Sequence, residues 1–224
     1  MSILELRDVR YVYKNKYRSV EAINGITCDF EAGKVYALMG RSGSGKTTLL
    51  SLMAGLDVPT SGEIVREGVS TSETDLEKYR RENVSVIYQD FRLFPLLTAA
   101  ENVMYPLELR GVKPAEAKRR AAELIESVGL PDSVLDRFPP MLSGGEQQRV
   151  AIARALGMET KILLADEPTG NLDEDNSAKI FEILRGLAHD KGYCVIIVTH
   201  DEAIGQKADV TVRIRDGVLA EQIG

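Results

Sequence analysis

The sequence predicts an α/β fold, a mainly parallel sheet with crossover helices, an antiparallel β portion and an inserted helical portion. Three observations carry that reading. Val35–Met39, Ile162–Ala165 and Val195–Val198 are short runs apolar on both faces, the pattern of buried parallel strands. A helical stretch, Asn176–His189, lies between the second and third of these runs, as a crossover connection requires. Between Thr98 and Leu156 the strand pattern gives way to helical periodicity.

Taken in order, Leu4, Leu6 and Val9 alternate in a first short strand, and Ala22–Phe30 forms a second that closes at the turn Glu31–Lys34. Val35–Met39 is the first buried strand. A glycine-rich loop and a helix bearing Leu49, Leu50, Leu52 and Met53 follow it, and then a turn at Asp57–Gly62. Val84–Tyr88 reads as a strand ending near Gln89. Ala99–Arg110, Pro114–Val128 and Ser143–Leu156 read as three helices, so residues 90–158 are expected to form a helical subdomain inserted in a core made of 1–89 and 159–224. Val210–Ala220 predicts a hairpin turning at Asp216-Gly217. One compact unit is expected over 1–224.

Composition narrows the function. With 44% hydrophobic and 28% charged residues in 224, the chain has an ordinary globular make-up that excludes disorder and collagen. A net charge of −6 argues against a protein that coats nucleic acid. The longest apolar run is the six residues Tyr193–Val198, far short of the ~20 of a membrane helix. Met1–Glu5 does not open as a signal peptide does. Cys28 and Cys194, far apart in strand-like contexts, are expected to be reduced core thiols. A cytoplasmic protein is expected.

Gly40-Arg41-Ser42-Gly43-Ser44-Gly45-Lys46-Thr47 matches G-x-x-x-x-G-K-[ST] between a buried strand and a helix, with Thr48 next in line. Glycines let backbone N–H groups curl around phosphate oxygens, and a helix N-terminus adds partial positive charge. Lys46 is placed to reach the β- and γ-phosphates, and the Thr47 hydroxyl to ligate Mg²⁺. Asp166 and Glu167 end the strand that begins at Ile162. Neighbouring side chains on an extended strand point to opposite faces, which suits two roles. Asp166 is expected to hold Mg²⁺ through its water shell, and Glu167 to orient or deprotonate the attacking water. Leu142-Ser143-Gly144-Gly145-Glu146-Gln147 is a second candidate anion site. Ser143 and Glu146 have capping-box spacing, and the glycine pair exposes N–H groups at a helix start.

With these motifs in this order the chain resembles the ATP-binding-cassette (ABC) ATPases of the P-loop NTPase fold over essentially its whole length. The resemblance rests on residues 40–47, Gln89, Ser143–Gln147, Asp166-Glu167, Asn171-Leu172-Asp173 and His200. It implies that Tyr13, or Tyr11 in the alternative register, stacks on adenine. It implies that Gln89 contacts Mg²⁺ and the attacking water and reports to a membrane partner, and that His200 contacts the γ-phosphate. It further implies that Asp173 communicates across a dimer and that Ser143–Gln147 covers the γ-phosphate held by the opposite subunit. Phe94–Val103 and Glu167–Asp173 resemble the lipoprotein-release and macrolide-export branch, and the cell-division ATPase of that branch, a regulator without transport, is similar too. In the segment before Leu142, Arg137-Phe138-Pro139-Pro140-Met141 departs from the family's usual string. The resemblance implies ATP and Mg²⁺ as ligands, a homodimer in the ATP-bound state, and a separate transmembrane permease that keeps the ATPase at the inner face of the membrane. The apolar run Phe91, Leu93, Phe94, Leu96 and Leu97 marks residues 89–105 as the expected docking region.

Overall fold

The structure is a computed structural model that describes residues 2–14 and 18–224. Two sheets organise it. Strands β1 (Ser2–Lys14) and β2 (Ser19–Glu31) pair antiparallel, and β4 (Ser61–Arg66) and β5 (Val69–Ser70) extend them into a four-stranded sheet of order β2-β1-β4-β5. The second sheet has six strands in the order β10-β9-β3-β8-β7-β6. They are β3 (Val35–Met39), β6 (Val84–Tyr88), β7 (Ile162–Asp166), β8 (Cys194–Thr199), β9 (Val210–Arg215) and β10 (Val218–Ile223). Every neighbouring pair in it runs parallel except the hairpin β9–β10 at one edge. That hairpin turns at Asp216 and Gly217, both in the left-handed region, as a two-residue turn of this kind requires.

Helices α1 (Lys46–Met53), α2 (Leu76–Glu82), α3 (Ala99–Leu109), α4 (Pro114–Ser127), α5 (Gly144–Leu156), α6 (Glu174–His189) and α7 (Glu202–Lys207) complete the fold. The central strands are buried on both faces, so their alternate residues feed two cores. Tyr36, Leu38, Leu164 and Ile196 join the core shared with α1 and the antiparallel sheet. Val35, Ala165, Val195 and Ile197 join the core shared with α3–α6.

The predicted strands and helices are present, with ends shifted by a few residues. The first strand runs far past Val9 because register shifts between Leu6 and Val9, and left-handed Asp8, break its alternation without ending the pairing. Elements β4, β5, α2 and α7 were not read from sequence. Cys28 and Cys194 are free and buried.

Candidate functional site

Four parallel strands end side by side, with Met39 opposite Thr199, Tyr88 opposite Asp166, and Asp166 opposite Val198. The next residue along each chain segment is Gly40, Gln89, Glu167 or His200. The parallel register thus delivers four of the sequence-predicted residues to one sheet edge, the carboxyl edge where α/β sheets bind ligands. Beyond it lies a cleft of about 900 Å³ that reaches Tyr13, residues 45–48, Gln89, Glu167 and His200.

The phosphate loop is held open by its own bonds. Lys46 is buried, and its ammonium donates to the carbonyls of Gly40 (2.7 Å) and Arg41 (3.0 Å), pinning the loop ahead of α1. Gly45 caps that helix at φ 104°, and a Cβ there would lie 2.5 Å from the Ala22 carbonyl. A Cβ at Gly40 would lie 2.6 Å from the Ser44 hydroxyl. That hydroxyl is buried and has no hydrogen-bond partner. A glycine-rich loop at a helix start, with no room for a Cβ at Gly40 or Gly45 and edged by an orphaned buried hydroxyl, fits phosphate oxygens. The β9–β10 turn buttresses it, since the Gly217 N–H donates to the Ser44 carbonyl (3.0 Å). This contribution carried no sequence signal beyond the turn residues.

Asp166 lies behind the loop. Burial raises its carboxyl above the usual range, the nearby Glu167 charge adds to this, and Lys46 and the Thr47 hydroxyl oppose it. A hydroxyl beside one carboxylate is a spare donor set, suited to a magnesium ion that draws its remaining ligands from phosphate and water. Glu167 departs from the expected extended geometry. Its φ is +48°, so strand alternation stops at Asp166 and a left-handed bend turns Glu167 away. Its N–H still reaches the Val198 carbonyl of β8 (2.9 Å), and its carboxylate meets His200 Nδ1 (2.9 Å). A non-glycine residue in this region costs on the order of 1–3 kcal/mol, held here by the β8 bond and the His200 contact.

Tyr13 is half exposed, donates to or accepts from the Thr48 hydroxyl (3.1 Å), and stands edge-on to Tyr11 (4.9 Å between centroids). Tyr11 is occupied with Asp57 and is absent from the cleft lining, so Tyr13 is the ring that faces the cleft. Gln89 is exposed and tied to Asn171, donating to its side chain (3.3 Å) and accepting from its amide at the Gln89 carbonyl (3.0 Å).

Ser143–Gln147 and Asp173 do not line this cleft. Ser143 caps α5 in a full capping box with Glu146. The Ser143 backbone N–H bond holds the Glu146 carboxyl below its usual range. Gly145 packs against Asn176, where a Cβ would come within 2.7 Å. Asn176 in turn bonds to Asp173, the cap of α6 (2.8 and 2.9 Å). Ser143, Gly144 and Asp173 therefore border one surface outside the cleft, whereas Gly145 is buried against Asn176, so the expected exposure of the glycine pair holds for Gly144 alone.

Sequence reasoning missed three organisers. Gln148, fully buried, donates to the Pro168 carbonyl (2.8 Å) and ties α5 to the turn after Glu167. Asn102, also fully buried, donates to the carbonyls of Phe94, Leu97 and Thr98. Arg154 donates to the carbonyls of Phe91 (3.0 Å) and Arg92 (2.5 Å), two consecutive left-handed residues just past Gln89. The apolar run is only partly a surface. Leu96 is 86% exposed and Phe94 41%, whereas Leu93 packs against the second core and Phe91 and Leu97 are half-buried.

A strand, a glycine cradle, a buried lysine and an acidic pair at the carboxyl edge of a parallel sheet define a phosphate-loop nucleotide hydrolase. The ABC transporter family profile matches residues 23–170. The chain is 42% identical over 217 residues to the uncharacterized ABC transporter ATP-binding protein YclH of Bacillus subtilis, covering 97% of this chain and 95% of YclH. It is 43% identical to the macrolide export ATP-binding/permease protein MacB of Brucella melitensis, over 97% of this chain but only 34% of MacB. The fold superposes with a TM-score of 0.90 on the ATP-binding cassette MJ0796, solved as a dimer bound to ADP and Pi. That match is 35% identical and covers 98% of this chain and 97% of MJ0796. The chain belongs to the ABC transporter family, as an ATP-binding and ATP-hydrolysing cassette. Among the described residues no helix is long and apolar enough to cross a membrane.

Proposed function

We propose that the chain is the ATPase subunit of a membrane exporter or extraction system, driving a separate permease chain through ATP-dependent dimerisation. The observation that supports this is that Ser143–Gln147 does not line the cleft beside the phosphate loop; we read the two as half-sites that one chain does not bring together. A two-fold dimer lets each chain's Ser143–Gln147 segment cover the nucleotide of its mate. The likeness to MacB supports export, and the MJ0796 dimer supports the pairing. The permease is read to dock over exposed Leu96 and the apolar groove beside Phe94, which holds the protein at the inner face of the membrane.

In this reading Gly40–Thr48 wraps the phosphates, Lys46 reaches the β- and γ-oxygens, and Tyr13 stacks on the base. Thr47 and Asp166, with Gln89, hold Mg²⁺, which supplies charge neutralisation on the phosphates. Glu167 accepts the proton of the attacking water, and His200, bonded to Glu167, holds that carboxylate in place and reaches toward the γ-phosphate. Asp173 couples the mate through Asn176 and Gly145.

Light scattering after size exclusion tests the pairing. The Glu167→Gln protein is expected to be monomeric without nucleotide and dimeric with ATP, and Ser143→Arg is expected to abolish that dimer. A dimer indifferent to both ATP and Ser143→Arg overturns the split-site reading.

A further inference from the structure

Tyr11 and Tyr13 stand two residues apart on β1, a spacing that puts both on one face of a strand, yet their surroundings differ. Their rings meet edge to face, with centroids 4.9 Å apart and planes at 83°, an arrangement in which the ring quadrupoles attract. Such a contact takes at most one face of the Tyr13 ring. Tyr13 is near the end of β1, half exposed, and lines the cleft. Tyr11 is set deeper: it packs against the first core and lies opposite fully buried Ile23 of β2. Its hydroxyl donates to the Asp57 carboxylate, and the other Asp57 oxygen accepts the Val58 N–H (2.9 Å). The turn that carries Asp57 is bonded to β1 on either side of Tyr11. The Thr60 N–H donates to the Arg10 carbonyl (2.8 Å), and the Val12 N–H donates to the Thr60 hydroxyl (3.0 Å). The Asp57 bond pushes the Tyr11 phenol up to about 12, so its hydroxyl remains a donor at neutral pH.

A ring that receives a base binds it more tightly when it is already in place, because less side-chain freedom is lost on binding. We propose that Tyr11 is a positioning residue for nucleotide binding: anchored by Asp57, its ring holds Tyr13 in the orientation that receives the base, and Tyr11 itself touches no part of the nucleotide. The inference rests on the reading above that Tyr13 stacks on the base, and adds what holds it there. The Thr48 hydroxyl fixes the tip of the Tyr13 ring and Tyr11 fixes its body, so the two contacts together leave the ring one orientation. Because the effect passes through the base, it separates base-bearing nucleotides from bare phosphate chains. ATP feels it. Inorganic tripolyphosphate, which offers the phosphate loop the same oxygens without a base, does not.

Calorimetry with ATP and with inorganic tripolyphosphate, each with Mg²⁺, tests this on the whole chain. Tyr11→Leu should weaken ATP binding about two- to tenfold, the range of an aromatic pair, and leave tripolyphosphate binding unchanged. Tyr11→Phe keeps the ring and loses the anchor, so its ATP affinity should fall between those of the parent and Tyr11→Leu. In a Tyr13→Ala background, Tyr11→Leu should change ATP affinity no further, since the residue acts only through Tyr13. An equal loss of ATP affinity in both backgrounds overturns the proposal. Parent-like ATP binding by Tyr11→Leu, with Tyr13→Ala weakened, overturns the positioning role and leaves the stacking in place. Parent-like ATP binding by Tyr13→Ala overturns the stacking and the proposal with it. A Tyr11→Leu protein that loses both ligands has lost its fold, and Tyr11→Phe then decides. A loss confined to ATP and absent in the Tyr13→Ala background upholds the proposal, and parent-like ATP affinity overturns it.

Discussion

Replacing Glu167 with glutamine isolates one function, because the structure specifies what the change leaves intact. The amide has the size of the carboxylate and keeps an oxygen within reach of His200 Nδ1, now 2.9 Å from the acid. The backbone bond from Glu167 to Val198 does not involve the side chain, and glutamine adopts the left-handed φ of +48° no less readily than glutamate. No phosphate-loop bond is touched, since Lys46 is anchored on Gly40 and Arg41. The amide cannot accept the proton of water. Loss of a general base costs ~10²–10⁴ in rate, or about 3–5 kcal/mol of barrier. Expected results are a turnover reduced by that factor in a phosphate-release assay, ATP affinity within about twofold by calorimetry, and unchanged thermal stability. Turnover within tenfold of the parent would refute the base assignment. A parallel collapse of ATP affinity would show instead that Glu167 binds nucleotide.

Three further outcomes test the surrounding architecture. Tyr13→Ala should weaken ATP binding by about 1–3 kcal/mol with little change in maximal turnover, because only the stacking face is lost; Tyr11→Ala should do less, and equilibrium binding compares the two. Gly145→Ala should lower stability by roughly 1–3 kcal/mol, since its Cβ would press on Asn176, whereas a Cβ at Gly144 meets Leu172 at 3.4 Å and should be tolerated by the fold; denaturant melts separate them. The Glu146 carboxyl is held below its unfolded value, so its stabilisation is full above the ordinary carboxylate range and fades as pH falls through the depressed value. Glu146→Gln should therefore cost about 0.3–1 kcal/mol at neutral pH and nothing at acid pH, read by melts across pH.

The central strands were legible because both faces of β3, β7 and β8 are buried, leaving runs with no polar interruption. Helix α2 was not, because Tyr79 is its one buried side chain, and β4 was not, because its buried residues Ile64 and Val65 are adjacent and show no alternation. At the site, the phosphate loop and acidic pair were legible because they act through residue types the chemistry demands. Arg154, Asn102 and Gln148 were not, because each acts on main-chain carbonyls, Asn102 on the turn just before its own helix and the other two on distant segments, and a carbonyl leaves no mark in a sequence. The bend at Glu167 was hidden for a related reason: a left-handed glutamate looks like any other.

Helices α3–α5 share a single core with the sheet. Val103, Ile125 and Val150 belong to the same apolar cluster as Ile87, Ala165 and Ile197. The segment therefore lacks an interior of its own. Cut out, it would expose the face that now meets β6 and β7, and it should not fold in isolation. Grafted onto another cassette, it would bring half of an interface whose other half is written in strands elsewhere in the chain. The helices and the strands are thus obliged to change together, and exchanging them between relatives should succeed only when Ile87, Ala165 and Ile197 travel with them.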